Sequence, residues 1–400
     1  MSSGFLIVQS GGPTAVSNEI LAAAAHEASE SMAPGAPLLG VRFGLPGILR
    51  EDYIDLKSIT HWDAVKSAPG AALGSSRYRL KEEEIDRIVD ELDRIGIHFL
   101  LMIGGNGTMG AVGALAQAAA ARGSKLLVGG VPDTVDNDIH GTDFCLGFPS
   151  CARYCVLATQ DVAADVRSLP TPVSIVEVMG RNVGWIAAST VLARQGADDA
   201  PHRVYLPEAP VTVESFLADV QNTFDRHGWV VFVVAEGVET PDGTPWSAPA
   251  VNPSVGGFGG AMVGGAGSVL ARLVTSELGL RSRCEKPGLA ARAAVHLVSS
   301  VDRECAGRAA RFAAQELLQG NSGFAAVLDR RNGSPVDFSC RALPFSSMKS
   351  GERLIPPVFL SNKNGQPNEH CLEYVAPLIG SLGHHSTLLG ESTWRQRQSI

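Results

Sequence analysis

The stretch HFLLMIGGNGTMGAVGALAQAAAARGSKLLVGGV, His98 to Val131, decides the fold. Its opening, 98–103, carries five apolar side chains in a row and reads as a short strand buried on both faces. GGNGTMG (104–110) follows, then the helical run AVGALAQAAAA (111–121), then a second short apolar run, KLLVGGV (125–131). Strand, helix and strand in that order predict a parallel pair joined by a helical crossover. The same order recurs on either side. FLIVQS (5–10) leads through GGPT into AVSNEILAAAAHEASES, and VSIVEVM (173–179) leads through GRNVGW into IAASTVLAR. WVVFVVAEG (229–237) is one more buried strand. Apolar strands alternating with helices predict an α/β fold whose parallel sheet is covered on both faces. In such sheets ligands bind beyond the carboxyl ends of the strands, where each of these glycine-rich loops lies.

The totals bound the rest. A chain of 400 residues is too long for one small core, which predicts two domains or one large elaborated one. The net charge of −8 argues against a nucleic-acid partner, since that needs a basic face. Seven cysteines without a Cys-x-x-Cys spacing read as reduced thiols of a cytoplasmic protein. No basic-then-apolar leader is visible at the start, and no apolar run approaches the ~20 residues of a membrane span. No repeat of solenoid period is present. NPSVGGFGGAMVGGAGSVL (252–270) reads as a loop closing over a site and then entering a helix, with a linker as the alternative. The last stretch, 320–400, reads as a less regular mixed tail broken at Pro356-Pro357, and its end is polar enough to fray.

The loops carry the candidate chemistry. QSGGPT (9–14), with Gly12, is either a phosphate cradle or a plain strand-to-helix turn. In GGNGTMG, Gly104, Gly105 and Gly107 let the backbone approach a ligand, and Asn106 and Thr108 offer polar atoms. The loop is neither a Walker motif nor a strict Gly-x-Gly-x-x-Gly fingerprint. GGVPDTVDNDIHGTD (129–143) holds Asp133, Asp136, Asp138 and Asp143. Asp136 and Asp138 flank Asn137; close carboxylates repel unless a metal or a proton relieves them. One suits a general base for a hydroxyl and the other a Mg²⁺ ion beside phosphates, while a solvated turn with Asx caps is the plainer reading. VEVMGRNVGW (176–185) sets Arg181 at a strand end, suited to a bidentate anion contact or to a free surface. Glu236 of AEG is placed to accept from substrate hydroxyls. Arg283 and Arg292, around CEKPG, read as phosphate ligands or as surface charge.

In order, QSGGPTAVSN, LGSSRYRL, IGGNGTMG, TVDNDIHGTD, GFPSCARY, IVEVMGRNVGW, APHRVYLPE, VVAEG and PGLAARAAVHLVSSVDR resemble the 6-phosphofructokinase family over about 1–310. GGPTAVSN, GFPSCARY and APHRVYLPE are most similar to the branch that includes pyrophosphate-dependent enzymes. The resemblance implies two Rossmann-like, doubly wound α/β domains with the active site in the cleft between them. It implies a larger donor-binding domain, 1–147 with about 291–312, and a smaller sugar-phosphate domain, 148–290 with part of 313–385, before a polar tail, 386–400. The implied reaction is phosphoryl transfer to the 1-hydroxyl of fructose 6-phosphate, an EC 2.7.1-type activity. Asp136 would be its base, Asp138 would help to place substrate and metal, and Thr134 would touch the moving phosphoryl group. Gly12, Arg77, Gly105, Gly107 and Thr108 match donor-phosphate positions. Met179, Gly180, Arg181 and Glu236 match sugar contacts, and Arg283 and Arg292 match 6-phosphate contacts.

The departures bear on the donor. ATP-using members usually carry an aspartate where this chain has Asn106. Some pyrophosphate users carry asparagine there and an aspartate next, where this chain has Gly107. Pyrophosphate users also carry a lysine at the position of Asp133. One unit charge ~5 Å from a polyanion is worth roughly 3 kcal/mol at an effective dielectric of 20, so an acid there counts against pyrophosphate. Leu289 and Ala291 replace common acceptor-side residues, an arginine is missing from PTPVSIVEVMGR, and Phe258-Gly259-Gly260 replaces the FGH of the pyrophosphate branch. The expectation is therefore Mg²⁺-dependent transfer from ATP to a ketose phosphate in a homodimer or homotetramer. Pyrophosphate as donor, diphosphoryl transfer and a catalytically weak ligand-binding paralogue are the alternatives. Asp133 is expected to join Asp138 at the metal, replacing the acid lost from 104–108.

Overall fold

Why the apolar runs become parallel strands is visible in their burial. Phe5 to Val8, and Leu100 to Met102, are fully buried, so neither face of these strands meets water. The computed structural model describes residues 3–168, 171–247, 265–331 and 334–383. The expected closing loop at 252–264, Phe258-Gly259-Gly260 within it, and the polar tail at 386–400 lie outside the described residues. In chain order the strands are β1 (Gly4–Gln9), β2 (Leu38–Val41), β3 (Tyr53–Asp55), β4 (Ile97–Gly104), β5 (Leu127–Thr134), β6 (Leu146–Gly147), β7 (Val173–Val178), β8 (Arg203–Tyr205), β9 (Val230–Ala235), β10 (Ser282–Glu285), β11 (Phe324–Arg330) and β12 (Phe338–Pro344).

Two compact units emerge. The first takes the described residues up to 151 together with 292–353, and the second takes those of 152–291 together with 354–383. The first holds a sheet ordered β12-β11-β5-β4-β1-β2-β3, with β6 paired to β5. Its centre is parallel, and β3 and β12 close the edges antiparallel. The second holds a parallel sheet ordered β10-β7-β9-β8. Every residue of β7 and β9 is buried. The α/β expectation is met, and the crossover read from 98–131 is present as β4, the helix Asn106–Arg122 and β5. That helix stops at Gly123, whose left-handed backbone (φ 67°) forms its C-cap.

Two boundaries differ from the sequence reading. The stretch after 320 is more regular than expected: β11 adds parallel to β5, β12 returns antiparallel, and a helix spans Glu369–Ile379. β5 also runs past Val131 to Thr134, because Asp133 and Thr134 pair with Leu146 and Gly147 of β6. Successive strand residues point to opposite faces, so this extension decides where Asp133 goes. Among the described residues, no helix is long and apolar enough to cross a membrane.

Candidate active site

In the first unit the loops after β1, β4 and β5 lie at the carboxyl ends of adjacent parallel strands. The N–H of Gly11 (φ 87°) donates to the Ser76 carbonyl at 2.8 Å, joining the loop after β1 to the 74–77 segment. A Cβ on Gly12 would lie 2.7 Å from Arg292 Nη1 and 3.4 Å from Arg77 Nη2, so two guanidinium groups converge on bare backbone. They border a cavity of about 480 Å³ lined also by Gly11, Phe43 and Arg50. Burial and the like charge of Arg77 push the Arg292 pKa down, while Asp136 opposes them. Paired cations over the Gly12 main chain suit a phosphate oxygen.

The loop after β4 is shaped by close approach. A side chain on Gly104 (φ 157°) would meet the Ser10 carbonyl oxygen at 2.2 Å and Thr108 Oγ1 at 2.5 Å. A Cβ on Gly105 would come within 3.4 Å of Thr134 Cβ, so Thr134 faces this loop. The helix Asn106–Arg122 begins here, and its first N–H groups and dipole favour an anion. A Cβ on Gly107 would meet nothing within 4 Å.

The acidic segment turns on Asn137. Fully buried and left-handed (φ 55°), it accepts the Cys145 N–H on its side-chain oxygen at 2.8 Å. Asparagine tolerates that backbone better than most residues. Asp136 donates its N–H to Thr134 Oγ1 at 3.2 Å. Asn106 Nδ2 donates to Asp138 Oδ2 at 2.6 Å. The other oxygen of Asp138, Oδ1, is buried and has no hydrogen-bond partner among the described residues. Burial raises the Asp138 pKa, and the Asn106 hydrogen bond opposes it. An orphaned buried carboxylate oxygen beside a phosphate-type cradle fits Mg²⁺, which binds through one or two carboxylates plus substrate phosphates. Among the described residues, no group of three or more His, Cys, Asp or Glu side chains is arranged to hold a metal by itself.

Sequence reasoning missed Arg353. Its N–H donates to the Asp138 carbonyl at 2.7 Å. Its side chain donates to the carbonyls of Asn137 (3.1 Å), Thr142 (2.9 Å) and Asp143 (2.6 Å). One arginine thus staples the segment that bears both candidate carboxylates. Nothing in the spacing of GERLIPP signals this.

Asp133 goes elsewhere than expected. With β5 extended, Thr134 faces Gly105 and Asp133 takes the opposite face. There Asp133 Oδ1 accepts from Thr14 Oγ1 at 2.6 Å, and Oδ2 accepts from the Ser17 hydroxyl. The side chain is 3% exposed, and burial pushes its pKa up to about 7. Asp302, also buried, has its pKa raised to about 6 by burial and accepts from Ser150 and from the Gly147 N–H. The two oxygens of Asp133 thus accept from Thr14, before the helix Ser17–Ser31, and from Ser17, its first residue.

In the second unit, the end of β7 packs on the end of β9. Glu236 and Gly237 donate their N–H groups to the carbonyls of Val178 (2.9 Å) and Gly180 (3.0 Å). A Cβ on Gly237 would stand 1.7 Å from the Arg181 carbonyl oxygen, which no side chain allows. Met179, Gly180, Arg181 and Glu236 are thereby locked together. Burial raises the Glu236 pKa; Lys286 and Arg181 lower it, and Glu177 raises it. Glu208, another residue not singled out from sequence, accepts the Gly184 N–H (3.0 and 3.1 Å) and the Ile355 N–H (3.2 Å), fixing the turn after Arg181. Of the two arginines expected at the 6-phosphate, Arg292 lies against Gly12 in the first unit, and Arg283 is exposed on β10 of the second.

A family model described as Phosphofructokinase matches residues 4–317. The chain is 37% identical over 390 residues to the pyrophosphate–fructose 6-phosphate 1-phosphotransferase of Xanthomonas campestris pv. campestris, covering 95% of this chain and 92% of that protein. It is 31% identical over 362 residues to the sulfofructose kinase of Alkalicoccus urumqiensis, covering 89% and 92%. The crystal structure of pyrophosphate-dependent phosphofructokinase from Marinobacter aquaeolei superposes with a TM-score of 0.85 at 28% identity, covering 97% of this chain and 94% of that one.

Proposed function

The chain belongs to the phosphofructokinase family and is a phosphotransferase, and on that premise we propose that it transfers a phosphoryl group from pyrophosphate to the 1-hydroxyl of fructose 6-phosphate or a closely related ketose phosphate. The donor differs from the ATP expected from sequence, for two reasons. Relatives that span nearly the whole chain are named for pyrophosphate. The charge objection also loses its footing, because Asp133 accepts from two hydroxyls instead of facing a polyanion.

The observation that carries the reading is the convergence of Arg77 and Arg292 on Gly12, with the Asp136 charge acting on Arg292. In the proposed reaction Asp136 takes the proton of the 1-hydroxyl as that oxygen bonds to phosphorus. The bridging P–O bond breaks and orthophosphate leaves. The two guanidinium groups and the start of the helix at Asn106 hold the donor oxygens, and Thr134 contacts the group in transit. Asp138 would hold Mg²⁺, which supplies neutralisation of phosphate charge. This is positioning and electrostatics, which is most of what phosphoryl transfer asks of a protein. Glu236 and Arg181 serve the sugar. A homodimer or homotetramer is part of the proposal, read by sedimentation.

ATP remains the second reading on one observation. Phe43 holds a left-handed backbone (φ 58°), and its half-exposed ring lines the Arg77–Arg292 cavity, an apolar surface pyrophosphate does not need. Steady-state rates for each donor against fructose 6-phosphate and other ketose phosphates decide between them. Pyrophosphate-supported turnover is expected, and turnover with ATP alone reverses the choice of donor.

A further inference from the structure

Glu177 of β7 is fully buried, and three donors meet its carboxylate. The N–H groups of Gly265 (2.9 and 3.1 Å) and Gly267 (2.9 Å), at the start of the helix Ala266–Leu278, point at its carboxylate. Lys286 Nζ donates to its Oε1 at 2.5 Å. A buried carboxylate satisfied this way is fixed, and it fixes the ammonium bonded to it. Lys286 directly follows β10. Its neighbour on the same side, Cys284, lies against Gly267, where an added Cβ would sit 2.8 Å from the sulfur, whereas Arg283 takes the opposite face. The Lys286 side chain is 46% exposed, so its head is anchored on one side and open on the other. An ammonium has three N–H donors, and the hydrogen bond to Glu177 uses one.

Glu236 lies at the same carboxyl end of this sheet: its N–H donates to the carbonyl of Val178, next to Glu177, and β10, which Lys286 follows, pairs with β7 as far as Val176. Of the charged groups acting on it, Lys286 and Arg181 favour its ionised form, with Lys286 the stronger, and Glu177 opposes it. We propose that Lys286, anchored by Glu177 next to Glu236, is a binding and specificity residue for the acceptor, donating from its open side to an oxygen of the sugar phosphate. The inference rests on the phosphotransferase reading above and adds a residue that the motifs did not supply. It also gives the second unit a local cation where Leu289 and Ala291 depart from the family pattern.

The test compares Lys286→Met and Lys286→Arg with the unaltered protein in two measurements. One is calorimetric binding of fructose 6-phosphate without donor; the other is steady-state kinetics against pH. Losing a charge-assisted hydrogen bond should weaken acceptor binding and raise acceptor KM roughly tenfold to a hundredfold in Lys286→Met, with kcat and donor KM changed by less than about twofold. The acid limb of kcat/KM for the acceptor should move to higher pH, because Glu236 loses its strongest stabilising charge. Lys286→Arg should recover most of the binding. A folded Lys286→Met with unchanged acceptor affinity and an unmoved acid limb overturns the inference and leaves the phosphotransferase reading standing. Equal damage to donor KM and kcat makes Lys286 a structural residue and overturns it too. If the methionine variant does not fold, Lys286→Gln takes its place under the same criteria. An unaltered protein that neither binds nor turns over any ketose phosphate overturns the underlying reading, and this inference with it.

Discussion

Asn106 Nδ2 lies 2.6 Å from Asp138 Oδ2, so the amide standing where an acid was expected orients the remaining carboxylate. One oxygen of Asp138 is tied to the start of the helix Asn106–Arg122, and the other is left buried and open. Replacing Asn106 by Asp would set two carboxylates at hydrogen-bond distance, which disfavours ionisation of both. The Asn106→Asp variant should lose activity near neutral pH and have the acid limb of its rate profile shifted upward. Asn106→Leu, which removes the hydrogen bond that holds the Asp138 pKa down without adding a second carboxylate, should lose activity with a smaller upward shift. An unchanged profile in Asn106→Asp would separate Asn106 from the function of Asp138.

Asp136 carries the base role. Asp136→Ser should lower kcat by roughly 10²–10⁴, the usual worth of a positioned base, while donor and acceptor dissociation constants stay near their original values. Calorimetry with each ligand alone, beside initial rates, checks this. A variant within tenfold of the original rate removes Asp136 from the proton transfer.

Asp133 should prove a structural acid. Its folded pKa of about 7, and that of Asp302 at about 6, lie above the unfolded value of 3.8, so the folded chain holds protons that the unfolded chain releases. Their contribution to stability is complete below the unfolded pKa and is lost as pH rises through the folded values. Across pH 4 to 7 this part of the stability declines. Asp133→Asn should flatten that decline in a plot of melting temperature against pH and should keep the Mg²⁺ requirement of the rate. Loss of the Mg²⁺ dependence would return Asp133 to the metal.

Arg353 should matter beyond its distance in sequence from the acidic segment. Arg353→Met would leave the carbonyls of Asn137, Thr142 and Asp143 without a charged donor, at an expected cost of about 2–3 kcal/mol in stability. Because those carbonyls belong to the turn that places Asp136 and Asp138, kcat should fall further than either KM rises. Arg353→Lys, with a single ammonium in place of a fork, should recover only part of both. Denaturant melts and full kinetics on the pair measure it.

Much of this was legible in the sequence, and the exceptions have physical causes. The glycine-rich loops after β1, β4 and β7 follow short, mostly apolar runs, and that pattern has few other solutions. β5 extends three residues past its apolar run, and that extension decides which face Asp133 takes. The pattern ends at Val131, where the apolar run stops, but pairing with Leu146 and Gly147 carries the strand onward. A two-residue partner strand has no sequence signal of its own. Arg283 and Arg292 are paired by the resemblance as 6-phosphate contacts, yet position along a strand end and a short helix says little about the direction of either side chain. Arg353 and Glu208 act through backbone groups, and hydrogen bonds to carbonyls and N–H groups leave no residue pattern to read.

The most direct test is phosphorus NMR of one mixture containing the protein, pyrophosphate, fructose 6-phosphate and Mg²⁺. The account predicts orthophosphate and a second sugar phosphate monoester, at C1, growing in equal amounts as pyrophosphate declines, and no such change with Asp136→Ser. Pyrophosphate left intact, while the same protein phosphorylates the sugar from ATP, would contradict the assignment of the donor; no new monoester from either donor would contradict the phosphoryl transfer itself.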